Sequence, residues 1–174
     1  MNGEIASIWK TSLWQQFGAA IDMLDNALTA CPDELWQAAL WPEEPVGYAE
    51  FWYLGYHTLF WLDLYLSGAV EGFAPPAPFT LDELKQDGFP ARVYTKLELQ
   101  TYLAHCRRKC QSTIMALTDE RAAEVCTFGQ REMSFAESLL YTMRHVQEHA
   151  AQLSLLLGQQ QGLAAGWVAK AKQN

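Results

Sequence analysis

The sequence predicts an all-α fold, a four-helix bundle with short extra helical turns that forms one domain over residues 1–174. Three observations support this prediction. A chain of 174 residues with 50% hydrophobic residues can fill one sizeable core but is short for two domains. Apolar residues recur at three- and four-residue steps in long segments, which is the period of an α-helix. No convincing strand period lies between these segments.

The first long helix is predicted from about residue 4 to residue 30, with an apolar face that runs from Ile5 to Leu28. Pro32 and residues 41–45, with the sequence WPEEP, then interrupt the helical pattern. Proline lacks the amide donor that a helix interior needs. We therefore expect a short helical turn and a loop before the next long helix.

The second helix, from about residue 47 to residue 67, is apolar on nearly every side, which is typical of a helix at the centre of a bundle. A connection rich in Gly and Pro follows over residues 68–94. Its length permits either a crossover between parallel helices or a simple reversal. Within it, Thr80 and Glu83 have the Ser/Thr-x-x-Glu spacing of a capping box, which predicts a short helix.

Two more capping boxes predict where the last two long helices begin. Thr95 and Glu98 have the required spacing at the start of the third helix. Ser134 and Glu137 have it at the start of the fourth helix, whose apolar stripe ends before Gly158.

Charge and composition narrow the class of partners. Twelve Lys and Arg against twenty Asp and Glu give a formal charge of −8 without a basic run that could follow a phosphate backbone, so nucleic acid is not expected. The longest strongly apolar stretch, residues 51–66, contains Asp63 and is shorter than the ~20 residues of a membrane span. The chain lacks a secretion signal, so we expect no membrane association and a cytoplasmic location. Reduced, mostly buried thiols are expected at the four cysteines, Cys31, Cys106, Cys110 and Cys126.

Two of the four histidines, His145 and His149, lie four residues apart in the segment RHVQEHAAQ of the fourth helix. At this spacing the two side chains share a helix face, with Cβ atoms about 5–6 Å apart. Both imidazoles can then reach one ion at metal–nitrogen distances of about 2.0–2.1 Å. Gln152 and Tyr141 belong to the same polar strip at the edge of the core face.

His57 is the natural candidate for a third ligand, because two ligands alone rarely hold a metal. It lies in the middle of the apolar second helix, where an unpartnered imidazole is costly to bury. Two interpretations stay open: a ligand beside the pair on the fourth helix, or a core histidine bonded to an oxygen. His105 has the polar helical neighbours Thr101, Arg108 and Lys109, so we expect it to face solvent.

The sequence does not match several well-defined catalytic and cofactor-binding motifs. Residues 145–149 match the H-x-x-E-H of inverted zinc peptidases, but that site needs a further acidic ligand, and no Asp or Glu follows Glu148. A ferritin-like di-iron bundle needs Glu-x-x-His on two helices. The positions three before the four histidines hold no carboxylate; they are Leu54, Tyr102, Thr142 and Val146. Phosphate-binding loops, dinucleotide fingerprints and G-x-S-x-G are also missing from the sequence.

The histidines and their surroundings resemble those of a known family. The segment YHTLFWLDLYLSG in the second helix, and HVQEHAAQ followed by LLLGQQQG in the fourth, are similar to the DinB superfamily of metalloenzymes, also called DinB/YfiT-like. The resemblance covers the chain from the first helix to about Gly162. It implies a four-helix bundle with a divalent metal, often nickel or zinc, held by His57, His145 and His149. Gln152 matches a polar position of the family one turn beyond the last histidine.

The resemblance also implies a class of activity. Characterised relatives include S-transferases and isomerases that use bacillithiol, mycothiol or glutathione, and many members form homodimers. Three neutral imidazoles leave the charge of the ion uncompensated and a coordination position open, which is typical of catalytic sites. The leading hypothesis is a transferase that adds a low-molecular-weight thiol cosubstrate to a small-molecule electrophile. Two rivals stay open, a metal-assisted hydrolase and a non-catalytic bundle that binds a small ligand or dimerises.

Side chains around the histidines complete the predicted site. Tyr53, Trp61 and Tyr141 are expected at the mouth of a pocket. Gln152, and also Tyr141, are candidates to support the reaction by orienting a ligand or a substrate. Glu148 projects away from both histidines of its helix, so we expect a solvated carboxylate rather than a catalytic base.

Overall fold

Long α-helices dominate the computed structural model, which describes residues 2–42, 47–162 and 165–173, with the backbone alone for residues 2–6. The helices are α1 (Asn2–Ala30), α2 (Phe51–Ser67), α3 (Lys96–Met115), the short α4 (Asp119–Ala123) and α5 (Phe135–Gln161). Two short strands, β1 (Val125–Phe128) and β2 (Arg131–Ser134), precede α5. Single 3₁₀ turns cover Asp33–Leu35 and Asp82–Leu84. The predicted all-α class is confirmed, with the small sheet as an addition.

The four long helices pack so that α1 and α2 each make their main contacts with α3 and α5. Contacts along the pairs give the directions of the helices. Gln100 of α3 bonds to Thr29 at the end of α1, and Arg107 bonds to Asp22, so α1 and α3 are antiparallel. By contrast α2 and α3 are parallel, because Leu99 lies against Gly55 while Lys109 reaches Ser67.

The parallel arrangement of α2 and α3 decides between the two connections that the sequence allowed. Residues 68–95 run back along the bundle as a crossover, and we call them the crossover segment. Gly68 ends α2 in the left-handed conformation, with φ of 82°, which a glycine adopts without a Cβ penalty. Phe73 and Phe79 of the crossover segment are buried against the bundle, so the segment is fixed to it by apolar contacts.

The capping predictions have different outcomes. The box of Thr95 and Glu98 is complete in both directions, and Ser134 Oγ accepts a hydrogen bond from the Glu137 amide at 3.2 Å. The box predicted at Thr80 is wrong. The Thr80 hydroxyl donates to the Asp82 carboxylate, and Glu83 turns its side chain towards α2 instead of back to Thr80.

The antiparallel pair of β1 and β2 was missed in the sequence. Phe128 pairs with Arg131 beside a tight turn, where Gly129 has φ of 63°. Cys126 and Phe128 point into the core while their neighbours are exposed. Strands of four residues are too short to show a convincing alternation, although this β-branched and aromatic composition with a Gly-x turn is typical of a hairpin.

Some predicted boundaries also need correction. Helix α2 begins at Phe51 rather than near residue 47, because Glu50 is first paired with Ala39 in an antiparallel bridge. Helix α5 continues through Gly158 and ends at Gly162 with φ of 72°. Glu43, Glu44 and Pro45 of the predicted loop lie outside the described residues.

Large side chains from all four long helices form the core, among them Phe17, Trp52, Tyr56, Tyr102 and Phe135, each at most 1% exposed. The predicted apolar face of the first helix is partly buried at Leu13 and fully buried from Phe17 onwards. Before it, Ile8 and Trp9 are 64% and 71% exposed, and the side chain of Ile5 lies outside the described part. None of the described helices is long and apolar enough to cross a membrane.

Candidate metal centre

Three histidines from two helices converge at one point. His57 lies on α2, and His145 and His149 lie one turn apart on α5. The Nε2 atom of His145 is 3.3 Å from Nε2 of His57 and 3.1 Å from Nε2 of His149. The structure therefore brings together all three histidines that the sequence singled out as ligands.

Helices α2 and α5 are antiparallel. His57 of α2 contacts His149 of α5, and Tyr65, later in α2, contacts Tyr141, earlier in α5. Residues eight apart on α2 thus face residues eight apart on α5 along one seam. The 3.6-residue period places His145 and His149 on the side of α5 that packs against α2. Backbone geometry, rather than a flexible loop, sets where the three rings meet.

The outer nitrogens of two rings are held by oxygen acceptors. His57 Nδ1 lies 2.8 Å from Glu83 Oε2, and His149 Nδ1 lies 2.7 Å from Gln152 Oε1. A neutral imidazole carries one N–H, and a carboxylate or an amide oxygen accepts it. With the protons of His57 and His149 on Nδ1, the lone pairs of both Nε2 atoms face the point of convergence.

Glu83 is the centre of a buried group of hydrogen bonds. Its side chain is 4% exposed, and it accepts from Tyr53 Oη at 2.6 Å and Trp61 Nε1 at 2.8 Å as well as from His57. Burial alone would raise the pKa of this carboxyl group, but the hydrogen bonds from His57, Tyr53 and Trp61 favour the ionised form and lower the pKa. Glu83 is therefore an ionised acceptor that orients His57.

His145 stays neutral for a different reason. Burial, the neighbouring His149 and His57, and the Arg131 guanidinium lower the pKa of His145 to about 3. Burial likewise lowers the pKa of His149, with His57 adding to the effect and the bond to Gln152 opposing it. Metal ligation requires neutral imidazoles, so both rings of α5 are in the required state at neutral pH.

The donor set fits a divalent ion. Metal–nitrogen distances of about 2.0–2.1 Å at tetrahedral angles separate two ligand nitrogens by roughly 3.3–3.4 Å. The measured Nε2 separations of 3.1 and 3.3 Å are close to that value. The buried Nδ1 of His145 has no hydrogen-bond partner within the described part of the chain. Its Nε2 is the nitrogen that lies beside the other two histidines. Ligand atoms of all three histidines lie within 4.8 Å of one another, and the group could hold a metal ion.

A pocket of about 490 Å³ opens beside His57 and His145. Most of its wall is aromatic, contributed by Trp41, Tyr48, Tyr53, Trp61, Tyr65 and Tyr141. Glu83 and Arg131 also line the pocket. Tyr53, Trp61 and Tyr141, which the sequence placed at the mouth, are thus at the pocket, and an aromatic wall of this size suits a small organic ligand.

The remaining candidates lie outside the three-histidine group. His105 is 41% exposed and its Nε2 is 3.5 Å from the buried Asp63 carboxylate, so it is half-buried rather than fully solvated. Glu148 is exposed and lines a second cavity of about 580 Å³ between α1 and α5, whose wall also includes His145 and Tyr141. All four cysteines are buried free thiols, as expected. Burial raises the pKa of Cys31 to about 12, and also raises the pKa of Cys110, which makes both weak nucleophiles.

The two charged residues of the pocket wall were missed in the sequence, as were Trp41, Tyr48 and Tyr65. Glu83 was interpreted as part of a helix cap, and Arg131 was not considered. One general signal pointed to Glu83: a histidine in an apolar helix needs a hydrogen-bond acceptor, and an acidic residue in a long connection can provide it. Nothing in the local pattern says that residue 83 meets residue 57, because the crossover brings them together.

A comparison with protein families gives a match over most of the chain. A family model described as the DinB superfamily matches residues 16–153, which include all three histidines. The chain belongs to the DinB superfamily. The predicted membership is confirmed, and it agrees with the helical fold. No curated protein and no solved structure matches the chain. Membership of the DinB superfamily, together with a three-histidine group that could hold an ion, suggests a metal-dependent enzyme.

Proposed function

We propose that this DinB superfamily protein is a metal-dependent transferase that joins a low-molecular-weight thiol to a small organic electrophile. His57, His145 and His149 are the proposed ligands of a divalent ion, nickel or zinc. One observation carries the proposal. Three imidazole Nε2 atoms converge at 3.1 and 3.3 Å beside an open pocket of about 490 Å³.

Each proposed ligand contributes in its own way. Glu83 holds the proton of His57 on Nδ1, and Gln152 does the same for His149, so both Nε2 lone pairs stay available. His145 stays uncharged because it is buried between two other imidazoles. When bound, a divalent ion would supply Lewis-acid chemistry, lowering the pKa of a coordinated thiol or water and stabilising its anion.

The side chains around the pocket favour a thiol over water as the nucleophile. A free thiol has a pKa of about 8.5 and loses its proton readily, whereas hydrolysis gains from a side chain that accepts a proton from water. Glu83 is the carboxylate in the wall of the pocket, and it already accepts three hydrogen bonds. Because Glu83 is occupied, the described wall offers little support for removing a proton from water. A thiol ionises more easily and depends less on such a base.

Metal content is the first test. Protein made without a histidine tag is analysed for metals beside two variants, His145→Ala and His105→Ala. The wild type and His105→Ala are expected to hold about one equivalent, and His145→Ala is expected to lose most of it, because His105 lies outside the group. Little metal in the wild type after incubation with zinc and nickel would refute the proposal.

Thiol transfer is the second test. The metal-loaded protein is assayed with bacillithiol, mycothiol and glutathione against an activated aryl halide, following formation of the thioether. Turnover that requires both the metal and His145 supports a transferase. A protein that holds metal but instead hydrolyses esters or amides would have the hydrolase function. One that does neither and still binds a ligand after loss of His57 would be a non-catalytic binding protein.

A further inference from the structure

Arg131 lines the same pocket as His57 and His145. Arg131 is the first residue of β2 and pairs with Phe128 across the hairpin turn. Its Nη1 donates to Tyr141 Oη at 2.9 Å and is 3.4 Å from Tyr65 Oη. The guanidinium carbon is 5.5 Å from the centre of the Tyr141 ring. Two phenols thus hold this cation in place beside the pocket.

Within residues 2–42, 47–162 and 165–173, the charge of Arg131 is not neutralised by a neighbouring acid. Among the described residues, no carboxylate forms an ion pair with it. Glu83, which lines the same pocket, is occupied by His57, Tyr53 and Trp61. Arginine carries five N–H donors in a planar fork, and its two hydrogen bonds here both use Nη1. Among the described residues Nη2 and Nε have no acceptor, so these donors can bind a ligand.

We propose that Arg131 binds a carboxylate of the substrate whose reacting end lies at the three histidines. This inference rests on the proposed function and adds the chemical class of the substrate, a small molecule with a carboxylate group. An arginine fork binds a carboxylate through two parallel hydrogen bonds. Arg131, His57 and His145 all line this one pocket, so a ligand that fills the pocket lies beside both the cation and the histidines. The chain carries a formal charge of −8, so an anionic substrate needs a local cation of this kind.

A purely structural role would look different in an experiment. Arg131 joins the hairpin to α5 through Tyr141, so removing the whole side chain would also disturb this contact. Glutamine at this position still donates a hydrogen bond to a phenol but has no charge. Arg131→Gln therefore separates recognition of an anion from support of the hairpin. Arg108→Gln is the matched control, because Arg108 is an exposed arginine on α3 and does not line the pocket.

The experiment uses cobalt(II)-loaded protein and two thiols that differ in one group. 3-Mercaptopropionate carries a carboxylate, and 2-mercaptoethanol carries a hydroxyl instead. Binding is followed by the visible absorption of cobalt, which reports on the site without any turnover. The wild type is expected to bind 3-mercaptopropionate about tenfold more tightly, the lower range for a charged hydrogen-bonded pair because Arg131 is exposed. Arg131→Gln should remove this preference and Arg108→Gln should keep it.

The outcomes separate the two proposals. Equal affinities for the two thiols in the wild type, a preference that survives in Arg131→Gln, or no response to either thiol would overturn the carboxylate inference. Absence of cobalt binding would overturn the metal proposal instead. Calorimetry on the metal-free protein with the same two thiols then decides the carboxylate inference alone. An Arg131-dependent preference there would support it, and equal or absent binding would refute it.

Discussion

Replacing Glu83 by glutamine should weaken metal binding although residue 83 is not a proposed ligand. The carboxylate accepts from Tyr53, His57 and Trp61 at 2.6, 2.8 and 2.8 Å. Glutamine has nearly the same shape, and its one oxygen can still accept from His57. The substitution therefore removes the negative charge behind the His57 imidazole and leaves the hydrogen-bond geometry close to that of the wild type.

The expected loss follows from the strength of that one bond. A hydrogen bond to a charged group contributes about 1.5–3 kcal/mol, against about 1 kcal/mol for a neutral one. The difference of about 0.5–2 kcal/mol corresponds to an affinity for zinc that is about 2- to 30-fold weaker. Glu83→Ala removes the acceptor as well, and losses of about 10- to 100-fold are usual when such an outer partner of a ligand is deleted.

A competition titration against a chromophoric zinc chelator at fixed pH measures the dissociation constants. Glu71→Gln is the matched control, because Glu71 is an exposed carboxylate of the same crossover segment and is not among the residues that line the pocket. Circular dichroism of each variant checks that the helices are intact. Wild-type affinity for zinc in a folded Glu83→Gln, and also in a folded Glu83→Ala, would show that Glu83 does not act on the ion through His57.

Three further predictions concern the site and the fold. Gln152→Leu removes the oxygen that accepts from His149, and the zinc dissociation constant should rise about tenfold in the same titration. In the metal-free protein, the free energy of unfolding should fall as the pH decreases from 6.5 towards 3, because His145 takes up a proton in the unfolded chain well before it does so in the folded one. Urea melts across this range should show a shallower fall for His145→Gln. Thr95→Ala should cost about 1 kcal/mol in urea melts by removing a complete helix cap, whereas Thr101→Ala, inside the same helix, should not.

Local patterns in the sequence were enough to predict the helices and the three histidines. The 3.6-residue period places His145 and His149 on one face, and the cost of burying His57 in an apolar helix marks it as unusual. Both signals come from residues within one helix. That the two helices lie side by side was an assumption of the bundle prediction, and the 3.3 Å between His57 and His145 agrees with it.

Glu83 and the direction of α3 could not be predicted in this way, because both depend on contacts between distant segments. The Thr80-to-Glu83 spacing allows a cap, yet a carboxylate gains more from three buried donors than from one exposed amide. The crossover was left open because Gly- and Pro-rich composition says where a helix stops but not where the chain goes next. The hairpin was missed because its strands are only four residues long.

The separation of the histidines along the chain has a consequence for folding kinetics. His57 and His145 are 88 residues apart, and the loop between them contains α3, α4 and the hairpin. Contacts of such high sequence separation are costly in loop-closure entropy and tend to form late. An ion bound by the three histidines would therefore meet a complete site only after the folding transition state. Metal binding should then slow the unfolding of this protein and leave its folding rate nearly unchanged. The ion would thus increase the kinetic stability of the native state.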